Sequence, residues 1–306
     1  MTTHTIPMIT LNNGVTIPQL GFGTMNLSDT RDNSPGSHEV TAKGVEAAIV
    51  AGYRHFDTAQ MYVNEKGVGL GIARSGIPRE EFFLTSKLGN GNHRPDDVRR
   101  SFEQSLTDLG IRQLDLFLMH WPLPTLYGGD YVSTWRAMTR LVDEGLLRSA
   151  GVSNFDAEHL QRIIEETGRV PAVNQIEVHP YFGRRAVFAA CAGHGIAVEA
   201  WSPLGQASVL AEPVIGAIAR KHDRSAAEVV LRWHTQQGRI VIPKTATPAR
   251  MAQNISIFDF TLAPAELAAI DALDRGEAGR RGPNPATFDW IPDKDNPQPH
   301  VPRADS

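Results

Sequence analysis

The chain has 306 residues, 41% of them hydrophobic and 21% charged, with 27 Gly and 20 Pro, a composition that excludes disordered, collagen-like and coiled-coil readings. Thirty Lys and Arg against 34 Asp and Glu leave a formal charge of −4, too balanced for a broad field that would hold nucleic acid or an anionic membrane surface. Cys191 is the only cysteine, so an intrachain disulfide and a cysteine-built zinc site are excluded; without a basic-then-apolar leader or a run near the ~18 apolar residues of a membrane span, the expectation is a soluble cytoplasmic protein.

In chain order, the alternating stretch 8–18 turns about Asn13-Gly14 and predicts a two-stranded hairpin cap. Eight short apolar runs follow, expected as strands at 20–23, 53–56, 82–86, 114–119, 148–152, 172–176, 197–200 and 240–242. Several lack strict alternation, as parallel strands covered on both faces do. The segments between them carry helix marks. Gly67-Val-Gly-Leu-Gly-Ile reads as a helix packing closely. Val98, Phe102, Leu106 and Leu109 share one face, Ser225 and Glu228 make a capping box, and Thr247-Pro248 reads as N-cap and first helical residue. Strand and helix alternate eight times with no low-complexity linker. The expected fold is an α/β (β/α)8 TIM barrel, one domain over 1–306, with an irregular tail at 276–306 whose Phe288, Trp290 and Ile291 suggest packing.

Such a barrel carries its chemistry at the C-terminal ends of its strands. The residues there are Asp57, Lys87, His120, Ser153-Asn154, Gln175 to Glu177, Ser202 and Lys244, with Tyr62 five residues past Asp57. Asp57, Tyr62, Lys87 and His120 together suit delivery of a proton to a carbonyl oxygen. A Tyr is neutral at pH 7 and can donate to a developing alkoxide. An ammonium ~4 Å from the resulting phenolate is worth about 4 kcal/mol at an effective dielectric of about 20, or roughly three pKa units. Asp57 would hold the ammonium, and His120 would donate to the same oxygen. No side chain is a hydride source, so a reductase needs a cofactor. The Gly67 stretch is a poor dinucleotide fingerprint. Lys244, Thr245 and Arg250 instead surround a helix start, where free N–H groups and the dipole favour a 2′-phosphate and hence NADPH over NADH.

Each residue alone has a plainer reading: Asp57 as a helix cap, Tyr62 as packed aromatic, Lys87 as a solvated strand end, His120 as satisfied by a carbonyl, Lys244 and Arg250 as an exposed basic turn. Their coincidence at one face favours the chemical reading. A metal hydrolase would draw on His55, Asp57, His120, His179 and His234, but no His-x-His or His-Glu-x-x-His occurs, and no metal site is expected. Gly-x-Ser-x-Gly is absent and Cys191 falls in a predicted helix, against nucleophilic hydrolysis.

The stretches Gly52-Tyr-Arg-His-Phe-Asp-Thr-Ala-Gln-Met-Tyr-Val-Asn-Glu65, Leu114-Asp-Leu-Phe-Leu-Met-His-Trp-Pro122, Gly151-Val-Ser-Asn-Phe155, Val173-Asn-Gln-Ile-Glu-Val-His-Pro180 and Ile242-Pro-Lys-Thr245 resemble the aldo-keto reductases, nearest to their bacterial 2,5-diketo-D-gluconate reductase branch. The resemblance runs over about 9–289. It implies a monomeric barrel that reduces aldehydes or ketones to alcohols with NADPH and binds no nucleic acid and no membrane. It makes Asp57, Tyr62, Lys87 and His120 the catalytic four, with Tyr62 the proton donor. It makes Gly23 and Thr24 cofactor-binding, and it places Ser153, Asn154 and Gln175 on the nicotinamide carboxamide, Trp201 stacked on the ring, and Ser202, Leu204 and Gln206 along the pyrophosphate. Lys244, Thr245 and Arg250 take the 2′-phosphate, Gln253 and Asn254 lie near adenine, and Met25, Trp121 and Trp290 line the substrate pocket. Met25 and Gly89 stand where many members have Trp, and the loop 26–38 is longer than usual, expected as a lid or as disordered chain. A barrel that binds NADPH as a redox sensor is the alternative, against which the complete catalytic set argues.

Overall fold

The computed structural model describes residues 5–30 and 32–292. The chain begins with the expected hairpin, β1 (Met8–Thr10) antiparallel to β2 (Thr16–Pro18) with Ile9 opposite Ile17. The main body then runs β3 (Phe22–Gly23), α1 (Pro35–Ala51), β4 (His55–Asp57), α2 (Glu65–Arg74), β5 (Phe83–Leu88), α3 (Pro95–Leu109), β6 (Leu114–Met119) and α4 (Val132–Asp143). It continues through β7 (Leu147–Ser153), α5 (Ala157–Thr167), β8 (Val173–Glu177), α6 (Arg185–Gly193), β9 (Ala197–Trp201), α7 (Pro213–His222), α8 (Ala226–Gln236), β10 (Ile240–Val241), α9 (Pro248–Ile255) and α10 (Pro264–Asp271).

Strands β3 to β10 lie side by side in sequence order, all parallel. The two edges meet. Leu20 bridges Val241 in parallel, the Gly21 N–H donates to the Val241 carbonyl at 2.8 Å, and the Val241 N–H donates to that of Gln19 at 3.0 Å. The sheet is therefore a closed (β/α)8 barrel.

The strands run past the apolar runs that mark them. β4, β5, β7, β8 and β9 end at or one residue beyond Asp57, Lys87, Ser153, Glu177 and Trp201, so these side chains sit on strand ends rather than in the loops that follow. An apolar-run reading stops too early where a barrel interior is polar.

That interior changes character along its axis. At the bottom, Phe83, Leu116, Leu118, Val173 and Ile240 form an apolar cluster with Leu11 and Ile17 of the hairpin. Burying each such side chain is worth about 1.5–3 kcal/mol, so the hairpin plugs the N-terminal end. Asn13 Nδ2 donates to the Arg148 carbonyl (3.1 Å) and Asn12 Nδ2 to that of Pro171 (2.9 Å), pinning the plug to the start of β7 and to the segment that leads into β8. Above it come His55, Thr85 and Glu199, then Asp57, Lys87 and Gln175, all fully buried.

Outside the barrel, Val98, Phe102 and Leu109 of α3 are buried, and the Ser225–Glu228 capping box closes α8 at its start. The glycine-rich α2 is the close-packing helix expected: a Cβ at Gly69 would lie 2.3 Å from the Leu109 carbonyl oxygen and one at Gly67 2.6 Å from Thr41 Cβ. The expected loop 26–38 is shorter than read. Ser34 caps α1 by accepting the Ser37 N–H (3.2 Å), Pro35 is its first residue, and buried Leu27 packs against Gly44. Beyond α10 the chain turns through Gly276–Gly279 and runs irregularly across the C-terminal mouth, with Phe288 against Trp121 at 4.3 Å between ring centroids. The rest of the expected tail lies outside the described residues.

Candidate active site

β4 delivers Asp57 to the barrel mouth, and the chain then folds straight back. A 3-10 turn over Gln60–Tyr62 ends at Val63 with φ +56°, a left-handed conformation that costs a β-branched residue of order 1–3 kcal/mol. Side chains hold that turn. Asn64 Nδ2 donates to the Thr24 carbonyl (2.8 Å), the Thr58 hydroxyl donates to Asn64 Oδ1 (2.7 Å), and Gln60 Oε1 accepts the Gly89 N–H (2.7 Å). The turn aims Tyr62 inward.

Lys87, on β5, meets it there. The fully buried Nζ donates to Asp57 Oδ1 (2.5 Å), the Thr58 carbonyl (3.0 Å) and Tyr62 Oη (3.2 Å). These account for all three ammonium protons. Since an ammonium only donates, Tyr62 Oη accepts from it, and the phenolic proton is free to point elsewhere. The His120 ring stands edge-on to Tyr62 at 5.7 Å. Its Nδ1 is buried without a partner, leaving Nε2 for the mouth.

Electrostatics separate the group into acid and counter-ions. Burial drives Lys87 down, but Asp57 and Tyr62 outweigh it and the net shift is upward, keeping it charged. Burial raises Asp57, opposed by Lys87. For Tyr62 burial again leads and raises the phenol, with Lys87 opposing and Asp57 adding to the rise. From the sequence, Lys87 is expected to offset the buried phenolate by roughly three units; desolvation of the ring, with Asp57 on the ammonium's other side, outweighs that offset. His120 is held well below its ordinary value by burial, then by Lys87 and His93, so it is neutral.

The residues expected around a cofactor fall into two groups. Thr24 and Gly23 pair with the end of β4: the Thr24 hydroxyl and N–H both donate to the Asp57 carbonyl (2.9 and 3.0 Å). The Ser153 hydroxyl donates to the Gln175 carbonyl (2.8 Å). Asn154, at φ +63°, donates to the His120 carbonyl (2.9 Å) and accepts from Trp201 Nε1 (2.9 Å). Gln175 Nε2 donates inward to Asp57 Oδ2 (2.8 Å) and Glu199 Oε2 (2.7 Å). Ser202 and Gln206 take left-handed backbone in the loop after β9, flanking half-buried Leu204. The second group surrounds α9. Its N-cap Thr247 makes no side-chain cap and Thr245 Oγ1 accepts the Thr247 N–H (3.1 Å). Lys244, Arg250 and Gln253 are exposed, while Asn254 is buried. Gly23 joins the groups: a Cβ there would lie 3.0 Å from the Ile242 carbonyl oxygen and 3.5 Å from Lys244 Cβ.

Around the mouth, Met25 is partly buried, Trp121 packs on Phe288, and the Trp290 carbonyl accepts from Asn90 Nδ2 (2.8 Å). The histidines weighed for a metal have separate partners: His55 faces the Pro18 carbonyl and Thr85, His179 faces Glu177, and His234 faces the Pro203 carbonyl.

Sequence reasoning named Glu177 only as a strand-end residue, without its role, and missed Glu199. Glu177 accepts the N–H groups of Arg281 (2.7 Å) and Gly282 (2.9 Å), clamping the tail to β8. Glu199 lies in the centre of the barrel. Its one sequence signal is an acid inside the short run Ala197–Trp201, which alternation places on the same strand face as Trp201.

A closed parallel barrel with a lysine-held phenol at its C-terminal mouth is an enzyme scaffold with an acid–base site. A match to the Aldo/keto reductase family spans residues 19–275. An aldo-keto reductase of Mycolicibacterium smegmatis is 48% identical over 284 residues, 93% of this chain and 98% of the relative. The methylglyoxal reductase DkgA of Escherichia coli is 42% identical over 284 residues, 92% and 98% of the two chains. The crystal structure of a Gox0644 point mutant in complex with NADPH aligns at a TM-score of 0.86 and 43% identity, covering 94% of this chain and all of that one. The chain belongs to the aldo/keto reductase family.

Proposed function

We propose that this protein reduces small aldehydes, ketones and dicarbonyls to alcohols with NADPH, and that Tyr62 gives the proton. The observation that carries the reading is the Lys87 ammonium reaching Asp57, Thr58 and Tyr62 at once. Tyr62, raised by burial, keeps its proton at neutral pH and can release it to an oxygen that gains negative charge. The phenolate left behind faces Nζ at 3.2 Å, an interaction of about 5 kcal/mol at an effective dielectric of about 20. It grows only as the charge develops, so it favours the transition state over the ground state. Neutral His120 supplies a second donor, and Asp57 keeps Lys87 from rotating away.

The nicotinamide supplies the hydride when bound. The chain's residues fit it. The first turn of α9 lacks a side-chain cap and has exposed Lys244 and Arg250 beside it, which suits a 2′-phosphate. Thr245, Gln253 and Asn254 complete that end. Ser202, Leu204 and Gln206 would follow the pyrophosphate, Gly23, Thr24, Ser153 and Asn154 would border the nicotinamide, and Trp201 would lie on it. Gln175 has only its carbonyl oxygen to offer, its amide nitrogen being spent inside the barrel. Met25, Trp121 and Trp290 would line the substrate, with Phe288 beside Trp121. The relatedness to a methylglyoxal reductase supports compact dicarbonyls. A monomer working in a reducing compartment completes the reading, and the single, buried cysteine supports the compartment.

NADPH absorbance followed with methylglyoxal, keto-sugars and small aromatic aldehydes tests the proposal. Steady oxidation with at least one carbonyl, faster with NADPH than with NADH, is expected; a bound cofactor that no carbonyl oxidises would overturn it.

A further inference from the structure

Below the Lys87 cluster lies a second carboxyl with no role in the chemistry above. Glu199 on β9 is fully buried and stands in register with Gln175 on β8. The single Gln175 amide nitrogen bridges two acids, reaching Glu199 Oε2 at 2.7 Å and, across the barrel, Asp57 Oδ2 at 2.8 Å. Asp57 in turn holds Lys87, and Lys87 holds Tyr62. We propose that Glu199 is a positioning residue for the proton-donating cluster, acting through Gln175 on Asp57 and Lys87.

The contacts set what Glu199 must be. Its other oxygen, Oε1, has no hydrogen-bond partner and lies 3.5 Å from His55 Nε2. His55 Nδ1 faces the Pro18 carbonyl at 3.3 Å, which only an N–H satisfies, so Nε2 is the acceptor. Gly21 leaves room for this ring: a Cβ there would lie 2.5 Å from Nδ1. Nε2 already faces the Thr85 hydroxyl at 3.2 Å, and a proton on Glu199 Oε1 gives the orphaned oxygen its own donor contact to the same ring nitrogen. The charges agree. Facing Glu199 are Asp57 and His55 from β4, Lys87 from β5 and Tyr62 above, with Asp115 acting on His55 from β6. Lys87 offsets one carboxylate, not two. Burial and then the Asp57 charge push Glu199 up to about 8, while burial pulls His55 down to about 4, leaving it neutral. Ionised Glu199 would raise the Tyr62 phenol further and make it a poorer acid.

The inference rests on Tyr62 as the proton donor, and its test separates the two. kcat is measured from about pH 6 to about pH 10 for the wild type, Glu199→Gln and Glu199→Ala, at saturating NADPH and methylglyoxal. Infrared difference spectra of the cofactor-free proteins follow the protonated carboxyl over the same range. Expected are a carboxylic-acid band in the wild type that titrates near 8 and is missing in Glu199→Gln, and a wild-type kcat that falls roughly three- to tenfold across that step. Glu199→Gln, which can accept from Gln175 and donate to His55, should keep most of kcat at neutral pH and lose the step. Glu199→Ala, which holds nothing, should lose kcat about tenfold or more with NADPH affinity retained. Superimposable pH profiles for wild type and Glu199→Gln, or no titrating band assignable to Glu199, would overturn the proposal. If Glu199→Ala does not fold, the Gln variant and the infrared titration decide. If the wild type reduces no carbonyl, the function reading fails and the infrared titration still decides whether Glu199 carries the required proton.

Discussion

Tyr62 is the residue on which the proposed chemistry turns. Its ring packs against His120 and its oxygen accepts from Lys87, so removing the hydroxyl alone leaves the shape of the mouth intact. Tyr62→Phe should lower kcat by ~10²–10⁴-fold, the usual worth of a positioned general acid. NADPH affinity, read by fluorescence titration, should change less than about twofold. A variant that keeps full turnover would remove Tyr62 from the role of donor. Asp57, Lys87 and His120 were legible in the chain because each is a polar side chain at the end of an apolar run, and Tyr62 because it follows Asp57 closely enough to fold back over the mouth. The sign of the net shift on Tyr62 was not, since it depends on how much water the folded mouth excludes. Gln175 was legible as a site residue but not in its direction, because a strand buried on both faces gives no pattern that tells inward from outward.

At the scale of elements, α9 is the informative case. It is short, starts with Pro248, and leaves its first N–H groups without a side-chain cap, so its exposed basic neighbours have an anion-binding end to complete. Arg250→Ala and Lys244→Ala should each weaken NADPH by roughly tenfold or more, while NADH, which lacks the 2′-phosphate, changes little. Equal losses for both, measured by titration, would show that the cluster does not read that phosphate. The start of α9 was legible from Thr247-Pro248. The start of α1 has the same signature in Ser34-Pro35, and the polar stretch before it hid the signal, which is why a lid was expected where a helix begins. The Glu177 clamp had no local signal: its partners are backbone N–H groups about a hundred residues later, and any sequence there supplies them.

Over the whole molecule, the buried titratable groups give stability a maximum. His55 and His93 are lowered to about 4 by burial, and His120 and His234 well below the ordinary 6.5, so their contribution is present above 6.5 and lost as pH falls through the folded values. Glu65, raised to about 7, and Glu199, raised to about 8, do the reverse. Their contribution is present below the ordinary 4.5 and lost as pH rises through 7 and 8. Between 4.5 and 6.5 five lowered histidines, His159 among them, oppose three raised carboxyls, Asp57 among them, so stability should climb with pH. Above 6.5 only the carboxyls are still titrating, so it should decline towards pH 8. Thermal melts across this range check the shape, and Glu65→Gln should flatten the alkaline side.

The barrel's first and last strands meet along a join made by Leu20, Gly21 and Val241, with two residues in each named strand. These stretches lie at opposite ends of the barrel sequence, and a contact of such separation is expected to form late in folding. The join also lies between Thr24 and Lys244. A dinucleotide laid from one to the other would rivet the seam, so the empty barrel should breathe there first and the loaded one should exchange its seam amides last.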